Sequence, residues 1–174
     1  NLSQVAKCYI NGLLEHAAGL TAITNPAVNS YKRLVGGYEA PVCTTWSSRS
    51  RDSFLRTTTT ADKDQKIELR NVDAIANPYL ALASILQAGL DGIEKEREES
   101  LIDREKNYLP QDLNEALEEL KKDEVIQTVL GEYIINKIIT AKKIESDVYR
   151  TQVHDWELER YLDLFKQNKI IDPI

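Results

Sequence analysis

Four of the five arginines between positions 33 and 70, and both glutamates there, stand out: Arg33, Glu39, Arg51, Arg56, Glu68 and Arg70. A guanidinium is a planar, permanently charged fork that grips carboxylates and phosphates through paired hydrogen bonds. Several of them converging on one cleft could hold an anionic substrate beside the phosphates of a nucleotide. Glu68 in such company suits a Mg2+ or Mn2+ ligand, because hard cations next to phosphates take carboxylate oxygens. Glu39 follows the Gly36-Gly37 pair, so it could swing on its loop toward a bound substrate and act as a general base. The competing reading is a set of solvated charges, with Glu68 and Arg70 on an edge strand and Arg49 and Arg51 near a turn. No phosphate-loop, nucleophile-elbow or zinc-ligand motif is present. Taken by themselves, these residues reach as far as an anion site and leave both readings open.

The flanking elements must place these six side chains. Ser3 can cap a first helix whose apolar positions Val5, Cys8, Tyr9, Leu13 and Ala17 recur at helical spacing, with Gly19 as its stop. Asn25-Pro26 marks a turn, because the residue before proline is pushed out of the helical region. Three strand-like runs follow, at 42–46, 53–57 and 66–70, with polar Thr57 to Gln65 as a connection. Alternation in the third run puts Ile67 and Leu69 on one face, and Lys66, Glu68 and Arg70 on the other. Asn77-Pro78 has the chemistry of a helix start, and Tyr79 to Leu90 is apolar nearly all round, which predicts a buried helix.

The charged run from Glu94 to Glu99 reads as a solvated helix end or a linker, not a binding tail. Asp112 and Glu115 have capping-box spacing for a short helix through Leu120. Asp123 could cap the next, with Ile126, Leu130, Ile134 and Ile138 as its stripe. A last helix carries Tyr149, Val153, Trp156, Leu162 and Phe165, and both stripes read as core. The order is helix, loop, small antiparallel sheet, then helices: an α+β fold.

A chain of 174 residues with 42% hydrophobic and 29% charged residues is long enough for one domain with a real core. Its net charge of −6 argues against sequence-independent nucleic-acid binding, which needs a basic surface. The arginine cluster is then a local feature of an acidic molecule, suited to a small anion. Cys8 and Cys43 have no CxxC spacing and read as free thiols. His16 and His154 are too few for a zinc site. No apolar run approaches the roughly 20 residues of a membrane span, and the chain is expected to be cytoplasmic. It contains no methionine, even at position 1, and starts inside a helical pattern, so a piece of a longer polypeptide is expected.

The segments NPAVNSYKRLVGGYEAP, the RxxFLR run from Arg51 to Arg56, KIELRNVDAIANPYLALASILQAGLDGI and RTQVHDWELERY resemble bacterial glutamine synthetase. The similarity runs over essentially all of residues 1–174 and corresponds to the C-terminal portion of the catalytic domain. The N-terminal β-grasp domain and the first half of the catalytic domain have no counterpart. In that family ATP phosphorylates the glutamate side chain, and ammonia then displaces phosphate from γ-glutamyl phosphate.

The resemblance implies that Arg33 binds the glutamate carboxylate and that Glu39 takes the proton from ammonium. It also implies that Arg51 bridges the glutamate and phosphate sites, Arg56 contacts the ATP phosphates and Lys63 touches the nucleotide. Glu68 would ligate Mg2+ or Mn2+, and Arg70 would hold the reacting end of glutamate. The full-length family assembles as a homo-oligomer of stacked rings, with neither nucleic acid nor membrane as partner. Thr57 to Thr60 departs from the proline-containing stretch usual after the phosphate arginine. The loop between Gly92 and Pro110 is shorter than in relatives whose tyrosine there is adenylylated, so Tyr108 reads as an ordinary loop tyrosine. Metal ligands and part of the nucleotide pocket lie upstream in the family, so this chain alone is expected to be catalytically silent. A γ-glutamyl ligase that accepts an amine or polyamine, and a non-catalytic structural or regulatory relative, are the alternatives.

Overall fold

Residues 2–59, 65–96 and 107–167 are described by a computed structural model. Ser3 opens the first helix, α1 (Gln4–Glu15), its hydroxyl accepting the Ala6 amide at 3.2 Å. The chain bends at His16 and continues as α2 (Ala17–Thr24), so Gly19 lies inside a helix and does not end one. Close approach explains a glycine there: a Cβ on Gly19 would sit 2.7 Å from Asp123 Oδ2. Val5, counted above on the apolar face, is exposed. Asn25 does terminate α2, and a 3-10 turn (Val28–Lys32) leads into the glycine-rich loop that carries Glu39.

Strands β1 (Cys43–Ser47), β2 (Ser53–Thr59) and β3 (Gln65–Leu69) form one sheet in that order. β2 and β3 are antiparallel, with Arg56 opposite Glu68. β1 and β2 run parallel, so the α+β class holds with a mixed sheet in place of a wholly antiparallel one. Parallel neighbours usually need a crossover of about a dozen or more residues. Here positions 48–52 suffice because β1 is short: six extended steps reach roughly 20 Å, against about 17 Å of strand. Serines tie this return. Ser47 Oγ accepts the amides of Arg49 (3.0 Å) and Ser50 (2.9 Å), and Ser53 donates to the Ser50 carbonyl (2.8 Å). β2 runs two residues past the expected Thr57, so Thr58 and Thr59, expected in the connection, belong to it.

Asn77 caps α3 (Pro78–Glu94), accepting the amides of Tyr79 and Leu80. α3 packs on α1 through glycines. A Cβ on Gly12 would lie 2.2 Å from the Ala88 carbonyl oxygen, and one on Gly92 would lie 2.2 Å from that of Cys8. The opposite face of α3 is open, with Tyr79, Leu82, Leu86 and Leu90 exposed. This corrects the expectation of a helix buried all round, because uniform apolarity does not say which covering elements the chain contains.

Asp112 caps α4 (Leu113–Lys122), and Asp123 caps α5 (Glu124–Leu130). Gly131, at φ +79°, then breaks the expected single stripe before α6 (Glu132–Arg150). Tyr149 belongs to α6, and the final helix is α7 (Asp155–Gln167). Val153, Trp156 and Leu162 are exposed, so the last stripe is not core; the Phe165 side chain lies outside the described residues. The interior is built from Ile10, Leu13 and Leu20 of α1 and α2, Phe54 and Leu55 of the sheet, and Leu113, Leu120 and Ile126 of α4 and α5. Cys8 and Cys43 are free thiols. No helix among the described residues is long and apolar enough to cross a membrane.

Candidate functional site

The six charged residues come from four places in the chain and meet in one connected network. Arg56 on β2 and Glu68 on β3 face each other across the antiparallel ladder. Arg56 donates through Nε at 2.7 Å and pairs through Nη2 at 2.6 Å, both with Glu68 Oε2. Arg70, two residues beyond Glu68 and therefore on the same side, donates from Nη1 to Glu68 Oε1 at 2.8 Å. One carboxylate is thus held between two guanidinium groups.

Arg70 also reaches the loops. Its Nε donates to the Arg51 carbonyl at 2.8 Å, and its Nη2 to the Glu39 carbonyl at 3.3 Å. The Arg51 side chain closes the circuit on Glu39, Nη1 to Oε2 at 3.0 Å, in a pair open to solvent. That bond holds the Arg51 guanidinium above its ordinary pKa. Glu39 has φ +54°, a conformation that costs a non-glycine residue about 1–3 kcal/mol and is concentrated in functional loops. Arg33 lies alongside, its Nη2 donating to the Asn71 carbonyl at 2.6 Å and Nη1 to that of Arg70 at 3.5 Å. Among the described residues its charge meets carbonyl dipoles and no carboxylate.

The network therefore carries two net positive charges facing water. Anion capture follows from that surplus: a carboxylate or phosphate would gain charge-assisted bonds that the two glutamates do not saturate. A divalent cation fits only in part. Glu68 offers one hard oxygen ligand, which Mg2+ or Mn2+ accepts when phosphates and water complete the shell, yet both its oxygens are engaged by arginines. Among the described residues no group of three metal-ligating side chains exists. Lys63 and positions 97–99 of the charged run lie outside the described residues. Arg49 is exposed beside the network, its backbone bonded to Ser47, and Tyr108 is exposed, its backbone bridging to Cys43.

Two arrangements were missed in the sequence. Asn71 is fully buried, and its amide donates to the hydroxyls of Thr21 (3.3 Å) and Thr24 (3.1 Å). Those hydroxyls in turn donate to Ala17 and Leu20 carbonyls on α2. This anchors the exit of β3, and with it the carbonyls that seat Arg33.

The second is His16, buried at the α1–α2 bend. Its Nδ1 lies 2.9 Å from Asp123 Oδ2 and its Nε2 lies 3.2 Å from Asp91 Oδ2, while Lys95 pairs with Asp91 at 2.7 Å. Burial lowers the His16 pKa, but the bonds and charges of Asp123 and Asp91 outweigh it and leave it raised. A lone histidine in an apolar run was the only local signal; its partners are 75 and 107 positions away.

Residues 1–161 match the family model described as glutamine synthetase, catalytic domain. The glutamine synthetase of Methanosarcina mazei is 45% identical over 94% of this chain and 40% of its own length. That of Thermus thermophilus is 46% identical over 92% of this chain and 39% of its own length. Among solved structures, a GmaS/ADP complex superposes with a TM-score of 0.77 at 36% identity, covering 93% of this chain and 40% of that one. GmaS without ligand gives 0.74 at the same identity, over 93% of this chain and 39% of that one. The chain spans about two fifths of the length of the relatives it matches.

Proposed function

The chain belongs to the glutamine synthetase catalytic-domain family, and on that premise we propose that it supplies the anion-holding part of an ATP-dependent glutamate–ammonia ligase. One observation carries the reading: Arg33, Glu39, Arg51, Arg56, Glu68 and Arg70 join in a single network with a surplus of positive charge.

Arg33 binds the backbone carboxylate of glutamate, and Arg70 holds the side-chain carboxylate that reacts. Arg51 lies between glutamate and the transferred phosphoryl group, and Arg56 with Lys63 binds the ATP phosphates. A relative whose solved structure is described as a GmaS/ADP complex supports a nucleotide as a ligand of the whole protein. A γ-carboxylate oxygen of glutamate attacks the terminal phosphorus of ATP, the bond to ADP breaks, and γ-glutamyl phosphate forms. Guanidinium groups stabilise the charge that develops on the transferring oxygens. Glu39, on its strained loop, accepts a proton from ammonium. The ammonia so formed attacks the γ-carbonyl, expels phosphate and gives up a second proton, to the departing phosphate or solvent, to leave the amide. Glu68 would hold Mg2+ or Mn2+, which supplies further neutralisation of phosphate charge when bound. The whole protein works as a homo-oligomer of stacked rings, and the chain of 174 residues alone is silent.

ATP hydrolysis tests this directly. The isolated chain with Mg2+, glutamate and ammonium should show none, and stimulated hydrolysis would overturn the silence. In a family-length protein carrying this chain, Glu68→Ala should abolish turnover while assembly persists. Turnover that survives would remove Glu68 from the site, and a family-length protein that never turns over would favour a scaffold. Comparing ammonium with putrescine as acceptor separates the ammonia ligase from an amine ligase of the same fold.

A further inference from the structure

Arg33 is exposed, and a long exposed side chain roams unless something holds it. Carbonyls hold this one: Nη2 donates to the Asn71 carbonyl at 2.6 Å and Nη1 to that of Arg70 at 3.5 Å. Both bonds use terminal nitrogens, and among the described residues Nε has no partner, so the Nε edge is open to water. The residue that aims those carbonyls is fully buried. Asn71 donates from Nδ2 to Thr21 Oγ1 at 3.3 Å and to Thr24 Oγ1 at 3.1 Å. On either side of it, the Arg70 amide donates to the Phe54 carbonyl at 3.0 Å and the Asp73 amide to the Thr24 carbonyl at 2.9 Å. The other end of the pair hangs from the same helix. Asn25 ends α2 with its Nδ2 on Thr24 Oγ1 at 3.1 Å, and the 3-10 turn at Val28–Lys32 leads directly to Arg33. The end of α2 thus fixes both Arg33 and what it leans on. As packing, the cluster is a poor choice: Asn25 Oδ1 and Asn71 Oδ1 are buried and meet no donor among the described residues. An apolar residue of the same shape would avoid that cost. What the amide contributes is direction.

We propose that Asn71 is a positioning residue of the anion site: its threonine-anchored amide sets the peptide that holds the Arg33 guanidinium, with the Nε edge presented to a carboxylate. A carboxylate takes two parallel N–H bonds from such an edge. Holding the fork before the ligand arrives removes an ordering cost from binding. The Arg51 and Arg56 side chains depend on a different set of partners, Glu39 and Glu68. Loss of the Asn71 amide therefore weakens one arm of the site and spares the other. That the carboxylate belongs to glutamate rests on the ligase reading; the positioning of Arg33 does not.

Nitrogen relaxation of the arginine Nε–H groups in the ligand-free chain tests the positioning, with Arg33→Lys assigning the Arg33 signal. Arg33 should be ordered in the unsubstituted chain and mobile in Asn71→Ala, while Arg56 and Arg70 keep their order. Thr21→Val keeps its shape and removes one acceptor of Asn71, so it carries the test if Asn71→Ala does not fold. It should loosen Arg33 in the same direction, and Thr21→Ser, which keeps the hydroxyl, should not. An Arg33 that is mobile from the start, stays ordered in both variants, or loosens together with Arg56 and Arg70 overturns the proposal. Titrations of the same proteins separate the two arms. Asn71→Ala should weaken glutamate binding by about 3- to 10-fold and leave the affinity for inorganic phosphate within about twofold. An equal loss of both would mark general damage and refute the positioning role. A loosened Arg33 with glutamate binding unchanged, or absent throughout, would leave the positioning standing and sink the assignment of Arg33 to glutamate.

Discussion

Glu68 neutralises two arginines at once, and this sets what the isolated chain can bind. An incoming phosphate must compete with a carboxylate that already holds Arg56 Nε at 2.7 Å and Arg70 Nη1 at 2.8 Å. The Glu68 side chain is 41% exposed, so solvent screens the clamp and its strength is that of a surface pair, up to about 1 kcal/mol. Glu68→Gln keeps the shape and removes the charge. It should raise the affinity of the isolated chain for inorganic phosphate by about 2- to 5-fold, as measured by calorimetric titration or arginine Nε–H shifts in NMR. The direction is opposite to its effect on turnover, where a metal ligand would be lost. An unchanged or weakened affinity would mean that Arg56 and Arg70 do not face the anion. Glu68 with Arg70 on one side of a strand was legible from alternation alone. The contribution of Asn71 was not, because its partners are threonines on a helix some 50 positions earlier, and nothing local distinguishes a buried asparagine from a turn residue.

Helix junctions tie α1 through α5 together, and two of them make sharp predictions. His16 joins the α1–α2 bend to α3 through Asp91 and to the α4–α5 junction through Asp123. With both ring nitrogens facing carboxylates, only the protonated imidazolium can donate to both. Its folded pKa is raised above the ordinary 6.5, so its stabilisation is fully present below about pH 6.5 and is lost as pH rises through the folded value. Asp91 is opposed by burial, but Lys95 and His16 outweigh it and lower its pKa from 3.8. Its contribution is therefore present above that ordinary value and is lost as pH falls through the folded one. Stability should peak in the weakly acidic range between them. The Tm of the chain should fall from about pH 6 to about pH 8.5, and His16→Asn should flatten that slope; a slope that persists would place the titrating group elsewhere. The glycine crossing is the second junction. Gly12→Ala would drive a methyl into the Ala88 carbonyl and should cost about 1–3 kcal/mol in urea unfolding, whereas a neutral effect would mean that α1 and α3 can move apart.

Across the whole molecule, legibility follows how local the determining physics is. Caps at Ser3, Asn77, Asp112 and Asp123 were readable because each acts on amides within its own first turn. The parallel β1–β2 pair was not, since strand direction depends on how serines fold the 48–52 return. Burial of α3 and α7 failed for a different reason: an apolar stripe records that a cover is needed, not that this chain provides it. The consequence is clearest for α7. It makes no extensive contact with another element, and its Trp156, Leu158, Leu162 and Leu164 are about half exposed or more. Among the described residues its ring contact is Trp156 with Tyr161 inside the helix, the Tyr149–His154 pair lying just before it. A helix this short is marginal in water by itself, so it adds little to the cooperative unfolding of the rest. Truncation after Thr151 should therefore shift the Tm by no more than about 2 °C, the equivalent of a surface change of about 0.5 kcal/mol. Far-UV dichroism should fall by the contribution of one helix at most. The arginine network should be untouched, because the bonds among its members lie between Arg33 and Asn71 and the threonines that anchor Asn71 are on α2. A large drop in Tm would instead mean that α7 folds back onto the body in solution and belongs to its core.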